Sequence, residues 1–205
     1  MTQRGGSDGV RLDRSVGDLL DGLGDGRISG PAGCSAAVTA ALAASLVMRT
    51  ARSAQRWPDG PGTIAQAETL QRRLLSLAQR DQDAHEQALT LLAQAAGTEQ
   101  PAHVGPGQRD GELATALQRA ASVPLAIAQT AADVALLAAG AAHSGPPETR
   151  ADAQAAVDLA RAATAAAARL VLANLTVPAD HPLARQAQLA VDVADRAHRD
   201  SEGGE

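Results

Sequence analysis

The chain has 205 residues, enough for one domain with a substantial buried core. Its formal net charge is −5 with both signs interspersed, and Phe and Tyr are absent, so neither a basic surface for phosphates nor aromatic platforms for bases are available. Nucleic acid is therefore excluded as a partner.

Alanine makes up much of the hydrophobic fraction, which is 45% of the chain. Alanine is the best helix former, and its small side chain lets neighbouring helices approach closely. The composition therefore predicts an all-α fold, a single-domain helical bundle of about seven helices with one long central helix.

The single cysteine rules out an intrachain disulfide framework and favours a reducing compartment. The polar opening MTQRGGSDG is not followed by a hydrophobic leader, and the long apolar stretches owe their character to alanine. We therefore expect a cytoplasmic protein without a membrane partner.

Both ends of the chain are polar and glycine-rich. Residues 1–9 and residues 201–205 are predicted to be disordered, and residues 10–200 to form the helical domain.

Two helices are predicted in the N-terminal quarter. Apolar residues recur near a helical period over residues 10–23, where glycines end the helix. Pro31 and Gly33 then introduce a helix over residues 34–56, made largely of small residues. The start of that helix suits either an anion bound by backbone N–H groups or close helix packing.

The longest predicted helix covers residues 63–96. Thr63 and Gln66 resemble a capping box at its start, and Gly97 follows its end. The segment TEQPAHVGPGQRDG, residues 98–111, is a linker by composition.

A short helix is predicted next, over residues 112–121. Pro124 follows a Ser-Val pair and indicates the first turn of a new, almost entirely apolar helix that ends near residue 142. This apolar helix should be the central one.

Two more helices complete the predicted total of seven. Thr149 and Asp152 have the capping-box spacing and predict a helix that ends near residue 175. The last helix is predicted over residues 180–199, with a proline in its first turn.

A carboxylate interrupts the apolar stripe of the longest helix. Asp81 continues the spacing of Leu70, Leu74, Leu77, Ala84, Ala88 and Leu92. His85 projects from the same face one turn later, within reach of a hydrogen bond, whereas Gln82 and Asp83 lie off the stripe. An inward carboxylate must be paired or raise its pKa. From the sequence, Asp81 could form a structural contact with a histidine or an arginine, or it could be a proton-transfer site.

Two polar residues of the helix predicted after Thr149 lie on its predicted apolar face. Asp152 is in phase with Ala156, Leu159, Ala163, Ala166 and Leu170, so it should open inward as well as cap the helix. Asn174 continues that phase at the far end and suits a helix–helix hydrogen bond better than a ligand contact.

Other nucleophile and metal chemistry has weak support in the sequence. Cys34 stands at a helix N-terminus, where a thiolate is favoured, but without a neighbouring histidine in the sequence tight packing is the better interpretation. The remaining histidines have no metal-ligand spacing, so no metal site is expected.

Four stretches occur in order along the chain: PAGCSAAVTAALAAS, LLSLAQRDQDAHEQAL, ALQRAASVPLAIA, and GPPETRADAQAAVDLARAA through LVLANL. Together they resemble the cyclodeaminase/cyclohydrolase family, all-α folate enzymes that also form the C-terminal domain of formiminotransferase-cyclodeaminase. The resemblance covers residues 10–175 and is that of a stand-alone member.

The resemblance implies a homodimeric enzyme with a folate groove between helices. It would close 5-formiminotetrahydrofolate to 5,10-methenyltetrahydrofolate with loss of ammonia, or hydrate the methenyl form to 10-formyltetrahydrofolate. The tetrahydrofolate derivative is the substrate, and no tightly bound cofactor is implied. Asp81 would be the catalytic acid or base, assisted by His85. The implied substrate-binding residues are Pro31, Gly33, Cys34, Ser35, Asp152 and Asn174.

The chain departs from the family pattern at six positions, which are Ala32, Cys34, His85, Pro146, Ala151 and Leu170. Two alternatives therefore accompany the folate enzyme. One is a diverged relative that catalyses another cyclisation, dehydration or hydrolysis in specialised metabolism, and the other is a non-catalytic helical dimer module.

Overall fold

The computed structural model describes residues 15–53, 57–95, 106–175 and 181–203. Regular secondary structure in these residues is entirely helical, which confirms the all-α prediction. The six α-helices are α1 Val16–Gly24, α2 Pro31–Ser53, α3 Gly60–Ala95, α4 Pro106–Ser144, α5 Arg150–Asn174 and α6 Pro182–Glu202. A 3-10 helix, Pro147–Thr149, links α4 to α5.

Helix α4 is the centre of the bundle, as its apolar sequence predicts. It packs against α2, α3, α5 and α6, and α2 also packs against α3 and α5. Most buried positions of the core are alanine, and the largest fully buried side chains include Leu74, Ile127 and Val157. Small side chains let the helix axes approach closely, so the interior is filled by closely packed helices rather than by large side chains.

The first three helices begin at different residues from those predicted. A capping box between Ser15 and Asp18 starts α1, and predicted residues 10–14 lie outside the described part of the chain. Helix α2 begins at Pro31, because proline is favoured in a first turn. Helix α3 begins at Gly60, so the capping box predicted at Thr63 is wrong.

The helix boundary predicted at Pro124 is wrong, because α4 continues through this residue. Proline lacks the N–H that would bond to the carbonyl of Ala120. Asn174 of α5 supplies the missing donor, since its Nδ2 lies 2.6 Å from the Ala120 oxygen. Two predicted helices therefore merge, and the count falls from seven to six in the described residues.

Helix α4 also begins earlier than its composition indicates. It starts at Pro106, inside the predicted linker, and residues 98–105 of that linker lie outside the described part of the chain.

The last two helices correct three predictions. Thr149 does not cap α5, because its Oγ1 donates to the carbonyl of Pro146 at 3.2 Å. The buried face of α5 is set by Ala153, Ala156, Val157 and Ala160, one position away from the predicted phase. Helix α6 reaches Glu202, past the predicted end at residue 199 and into the predicted tail. The predicted disorder of residues 1–9 and 204–205 lies outside the described residues.

In the described part of the chain, helix α2 and a part of α4 have the length and composition of a membrane span. They are Pro31–Ser53 and Thr115–Ser144, each with a mean hydropathy of 1.6. More than half of an apolar 18-residue window in each is buried inside the bundle, at 56% and 67%. Core helices have this composition because neighbouring helices cover them on more than one face.

The contact between Asn174 and the Ala120 carbonyl can be tested by a double-mutant cycle. Asn174→Ala should lower the free energy of unfolding by about 1–3 kcal/mol, because it leaves a carbonyl without a donor. Pro124→Ala restores a backbone N–H for that carbonyl, so Asn174→Ala should cost less in this background. Urea unfolding of the four proteins measures the difference, and equal losses in both backgrounds would contradict the assignment.

Candidate active site

The Asp81 carboxyl group lies against the backbone of the first turn of α2. Asp81 retains only 7% of its exposure, so its predicted inward orientation is confirmed. A Cβ atom added to Gly33 would overlap Oδ2 of Asp81. Glycine is therefore required at position 33 for the carboxyl group to occupy this place.

Gly30 forms the second wall of the same site. Its φ of +60° is in the left-handed region, and a Cβ added there would lie 3.2 Å from Asp81 Oδ2 and 3.3 Å from His85 Cβ. The side chains of Asp81 and His85 thus both lie beside Gly30. Sequence reasoning missed Gly30 as a site residue, although its spacing of three from Gly33 at a helix start is a usable signal.

The predicted stripe of α3 is confirmed in its middle and wrong at two positions. Leu74, Leu77, Ala84 and Ala88 are buried with Asp81, but Leu92 is 43% exposed. Gln82, predicted to lie off the stripe, is buried at 2% exposure. The buried face is therefore wider than one row of residues.

Burial without a partner gives Asp81 an unusual protonation equilibrium. No hydrogen bond or ion pair within the described ranges engages its carboxyl group, and desolvation raises the pKa of Asp81 to about 6. A carboxyl group with this pKa exchanges its proton near neutrality, with roughly a tenfold excess of the ionised form at pH 7.

The hydrogen bond predicted between Asp81 and His85 is not formed among the residues described. His85 is half-buried and adjacent to Asp81 through their shared contact with Gly30. Its imidazole therefore belongs to the site as a neighbour of the carboxyl group.

Cys34 is a packing residue beside the site. It is fully buried, and burial, with a smaller effect from the negative charge of Asp81, raises the pKa of the Cys34 thiol to about 11. The thiol therefore stays protonated at neutral pH and is a poor nucleophile.

The other residues predicted at the start of α2 have ordinary helix-terminal roles. Pro31 is exposed, and its carbonyl accepts a hydrogen bond from Ser35 Oγ at 2.7 Å. The first intrahelical bond runs from Cys34 N to Gly30 O at 3.3 Å, so the N–H groups of Ala32 and Gly33 precede it.

Asp152 and Asn174 do not join this cluster. Asp152 Oδ2 accepts a hydrogen bond from Arg49 Nε at 3.1 Å, and Arg49 lies about 24 Å from Gly33 along α2 at 1.5 Å per residue. The expectation that Asp152 faces inward fails because the phase of α5 differs by one residue. Asn174 is engaged by the Ala120 carbonyl, which is the helix–helix role favoured from the sequence.

The part of the chain that the structure describes contains no group of three His, Cys, Asp or Glu side chains able to hold a metal ion. The site there consists of one carboxyl group, one imidazole and the first turn of a helix. Such a site is suited to moving a proton and to accepting an anionic group at backbone amides.

The fold and the site define an all-α protein with a buried carboxyl group at a helix N-terminus. Residues 15–192 match the formiminotransferase-cyclodeaminase family, and the chain belongs to that family. Its structure is similar to the crystal structure of a formiminotetrahydrofolate cyclodeaminase from Thermotoga maritima, with a TM-score of 0.76. The two share 20% sequence identity over 93% of this chain and 94% of that one. A comparison with curated proteins gives no match.

Gly33→Ala tests the close approach of α2 to Asp81. The new methyl group must displace the carboxyl group or the helix, so the substitution should lower the free energy of unfolding by about 1–3 kcal/mol. With Asp81→Ala in the same chain the penalty should disappear, because the overlapping atoms are gone.

Gly62→Ala is the matched control for this substitution. Gly62 is the third residue of α3, as Gly33 is of α2, and a Cβ there meets no atom within 4 Å. It should be neutral or stabilising by up to about 1 kcal/mol. Urea unfolding compares the variants, and a Gly33→Ala protein as stable as the Gly62→Ala protein would contradict the predicted overlap.

The raised pKa of Asp81 predicts a specific pH dependence of stability. The folded state holds this proton up to about pH 6, whereas an ordinary aspartate releases it near 3.8. The native state thus binds more protons between these values, and the free energy of unfolding should fall by up to about 3 kcal/mol as pH rises through this window.

Asp81→Asn removes this titration. Its stability relative to the wild type should therefore improve between pH 4 and pH 7, as measured by urea unfolding at closely spaced pH values. A constant difference between the two proteins across that range would show that Asp81 titrates normally.

Proposed function

We propose that this chain is a cyclodeaminase that acts on a one-carbon unit carried by tetrahydrofolate. It would close 5-formiminotetrahydrofolate to 5,10-methenyltetrahydrofolate and release ammonia. The observation that carries the proposal is the buried, unengaged Asp81 carboxyl group with a pKa of about 6. Membership of the formiminotransferase-cyclodeaminase family supports the choice of substrate.

In the proposed mechanism Asp81 moves one proton between two nitrogens. N10 attacks the carbon of the protonated formimino group, which makes a tetrahedral carbon bonded to N5, N10 and the amino nitrogen. The Asp81 carboxylate takes the proton from N10 and donates it to the amino nitrogen. The carbon–nitrogen bond then breaks, ammonia leaves, and the methenyl cation remains. General acid–base catalysis of this kind contributes about 10²–10⁴-fold.

The residues around Asp81 have supporting roles in this proposal. His85 assists by its position beside the carboxyl group and Gly30. The first turn of α2, with Pro31, Gly33, Cys34 and Ser35, receives an anionic group of the substrate. The group would bind at the N–H groups of Ala32 and Gly33, which precede the first intrahelical bond. The same carboxylate would activate water if the enzyme hydrates the methenyl form instead.

Trp57 favours a second candidate, a diverged enzyme that acts on another substrate. This single aromatic residue packs near Gly60, about 32 Å along α3 from Asp81 at 1.5 Å per residue. It cannot stack on a pterin ring at the Asp81 site of its own chain, so aliphatic side chains and His85 would have to contact the ring. Proton transfer by Asp81 would be retained in such an enzyme.

We also propose a cytoplasmic homodimer, since the resemblance implies a dimer and α2 and α4 owe their apolar character to burial inside the bundle. A non-catalytic dimer is the third candidate, and it lacks any reaction for Asp81 to support.

Asp81→Asn tests the catalytic role. The variant should lose about 10²–10⁴-fold in kcat for methenyltetrahydrofolate formation, because asparagine cannot carry the proton. In the wild type, kcat/KM should fall below about pH 6 as the carboxylate is protonated. Asp83→Asn is the matched control on the same helix, since Asp83 is exposed and accepts a hydrogen bond from Gln79.

Thermal unfolding with 5-formyltetrahydrofolate separates the candidates. A folate enzyme should be stabilised by this compound, and turnover should depend on Asp81. Absence of both stabilisation and turnover would overturn the folate proposal. A reaction found with another substrate and lost in Asp81→Asn would then support the diverged enzyme.

A further inference from the structure

A groove between α3 and α4 lies away from the Asp81 site. This α3–α4 groove has a volume of about 660 Å³ and is lined by Ala65, Gln66, Leu70, Asp133, Leu136 and Leu137, among others. Its volume is within the range of small-molecule sites, which are mostly apolar with a few polar groups.

The groove is spatially separate from the candidate active site. Leu70 precedes Asp81 on α3 by about 16 Å of helix axis at 1.5 Å per residue. The groove therefore does not share its lining residues with the Gly30 and Gly33 walls of the active site.

Asp133 is the one charged side chain among the residues that line this groove in the described structure. No hydrogen bond or salt bridge within the described ranges reaches its carboxyl group. Desolvation by the surrounding side chains raises the pKa of Asp133, and the nearby Arg73 guanidinium opposes this only in part. The negative charge thus lies over apolar surface, near Arg73 but without a salt bridge among the described residues.

Exposed leucine beside this carboxylate extends the apolar surface. Leu136, one turn after Asp133 on α4, is 48% exposed. A ligand that satisfies both features must combine a cationic donor with an apolar body.

We propose that the α3–α4 groove binds a small organic ammonium, a primary amine with an apolar body. The ammonium donates to the Asp133 carboxylate, and the body covers Leu70, Leu136 and Leu137. The chain has no lysine, and all 18 residues counted as lysine or arginine are arginine. No lysine side chain of the chain itself can therefore supply this ammonium.

Dansylcadaverine is a suitable probe, because it joins an apolar fluorophore to a primary ammonium. Trp57 is the only tryptophan and contacts Gly60, so it lies within about one and a half helical turns of Ala65 along α3. Energy transfer from Trp57 to the bound dansyl group reports occupancy of this groove. The N-acetylated probe keeps the fluorophore and removes the charge.

The wild type should bind dansylcadaverine at least tenfold more tightly than the N-acetylated probe, because a charge-assisted hydrogen bond is lost on acetylation. Asp133→Asn should weaken binding of the amine by a similar factor and leave the neutral probe unaffected. Asp21→Asn, at an exposed position on α1, is the matched control and should bind like the wild type. Equal binding of the two probes, or an unchanged affinity in Asp133→Asn, would overturn the proposal.

Carbodiimide coupling locates the bound amine independently. The carbodiimide converts a carboxyl group to an O-acylisourea. The amine attacks its acyl carbon to form an amide, and the reagent leaves as a urea. Because the chain has no lysine, no side-chain amine competes within the protein. Peptide mass spectrometry should find the amide preferentially at Asp133, and uniform labelling of surface carboxylates would count against the site.

A second copy of the chain is the competing occupant of the groove. Light scattering of Leu136→Glu distinguishes the two cases. An unchanged mass agrees with a free groove that is available to a small ligand. A dimer that becomes a monomer would show that the partner copy covers the groove, and the proposal would then be wrong. Neither outcome depends on folate turnover.

Discussion

The candidate site depends on the absence of side-chain atoms at Gly33, where the carboxyl group of α3 reaches the backbone of α2. A methyl group at that position would occupy the place of Asp81 Oδ2. Because the two helices close over the carboxyl group, water is largely excluded, and desolvation raises its pKa to about 6. The raised pKa of Asp81 is thus a consequence of a packing arrangement that only glycine permits.

Close helix packing also buries a backbone carbonyl of α4 that lacks its helical donor, and Asn174 of α5 supplies a hydrogen bond to it. Pro124 removes a backbone donor from the middle of α4, and the free carbonyl of Ala120 lies where α5 packs against it. Asn174 completes the hydrogen bond from the neighbouring helix. An unpaired carbonyl in such an interface would cost about 1–3 kcal/mol, and the donor from α5 offsets this cost of continuing the central helix through proline.

Much of the architecture follows from the sequence, and the failures have physical reasons. The inward orientation of Asp81 was predicted correctly because buried leucines before it and the buried Ala84 and Ala88 after it define one face of α3. The phase of α5 was wrong because alanine occurs on all its sides, so Ala166 and Leu159 are exposed while Ala153 is buried. When small residues occur on every face of a helix, burying one face rather than another changes the free energy of folding little. The sequence pattern then does not indicate which face is buried. The role of Asn174 at Pro124 depends on a contact across 54 positions, which local patterns do not reveal.

Among the residues that the structure describes, desolvation raises the pKa of two carboxyl groups, Asp81 and Asp133, which differ in exposure. Asp81 is buried between helices and has no counter-ion among the described residues, so desolvation shifts its pKa toward neutrality. Asp133 lies at an open groove, where solvent and Arg73 limit the rise of its pKa. A buried acid of the first kind can exchange a proton with a reacting group. An exposed carboxylate of the second kind can attract a cation, and the apolar surface around it strengthens that attraction.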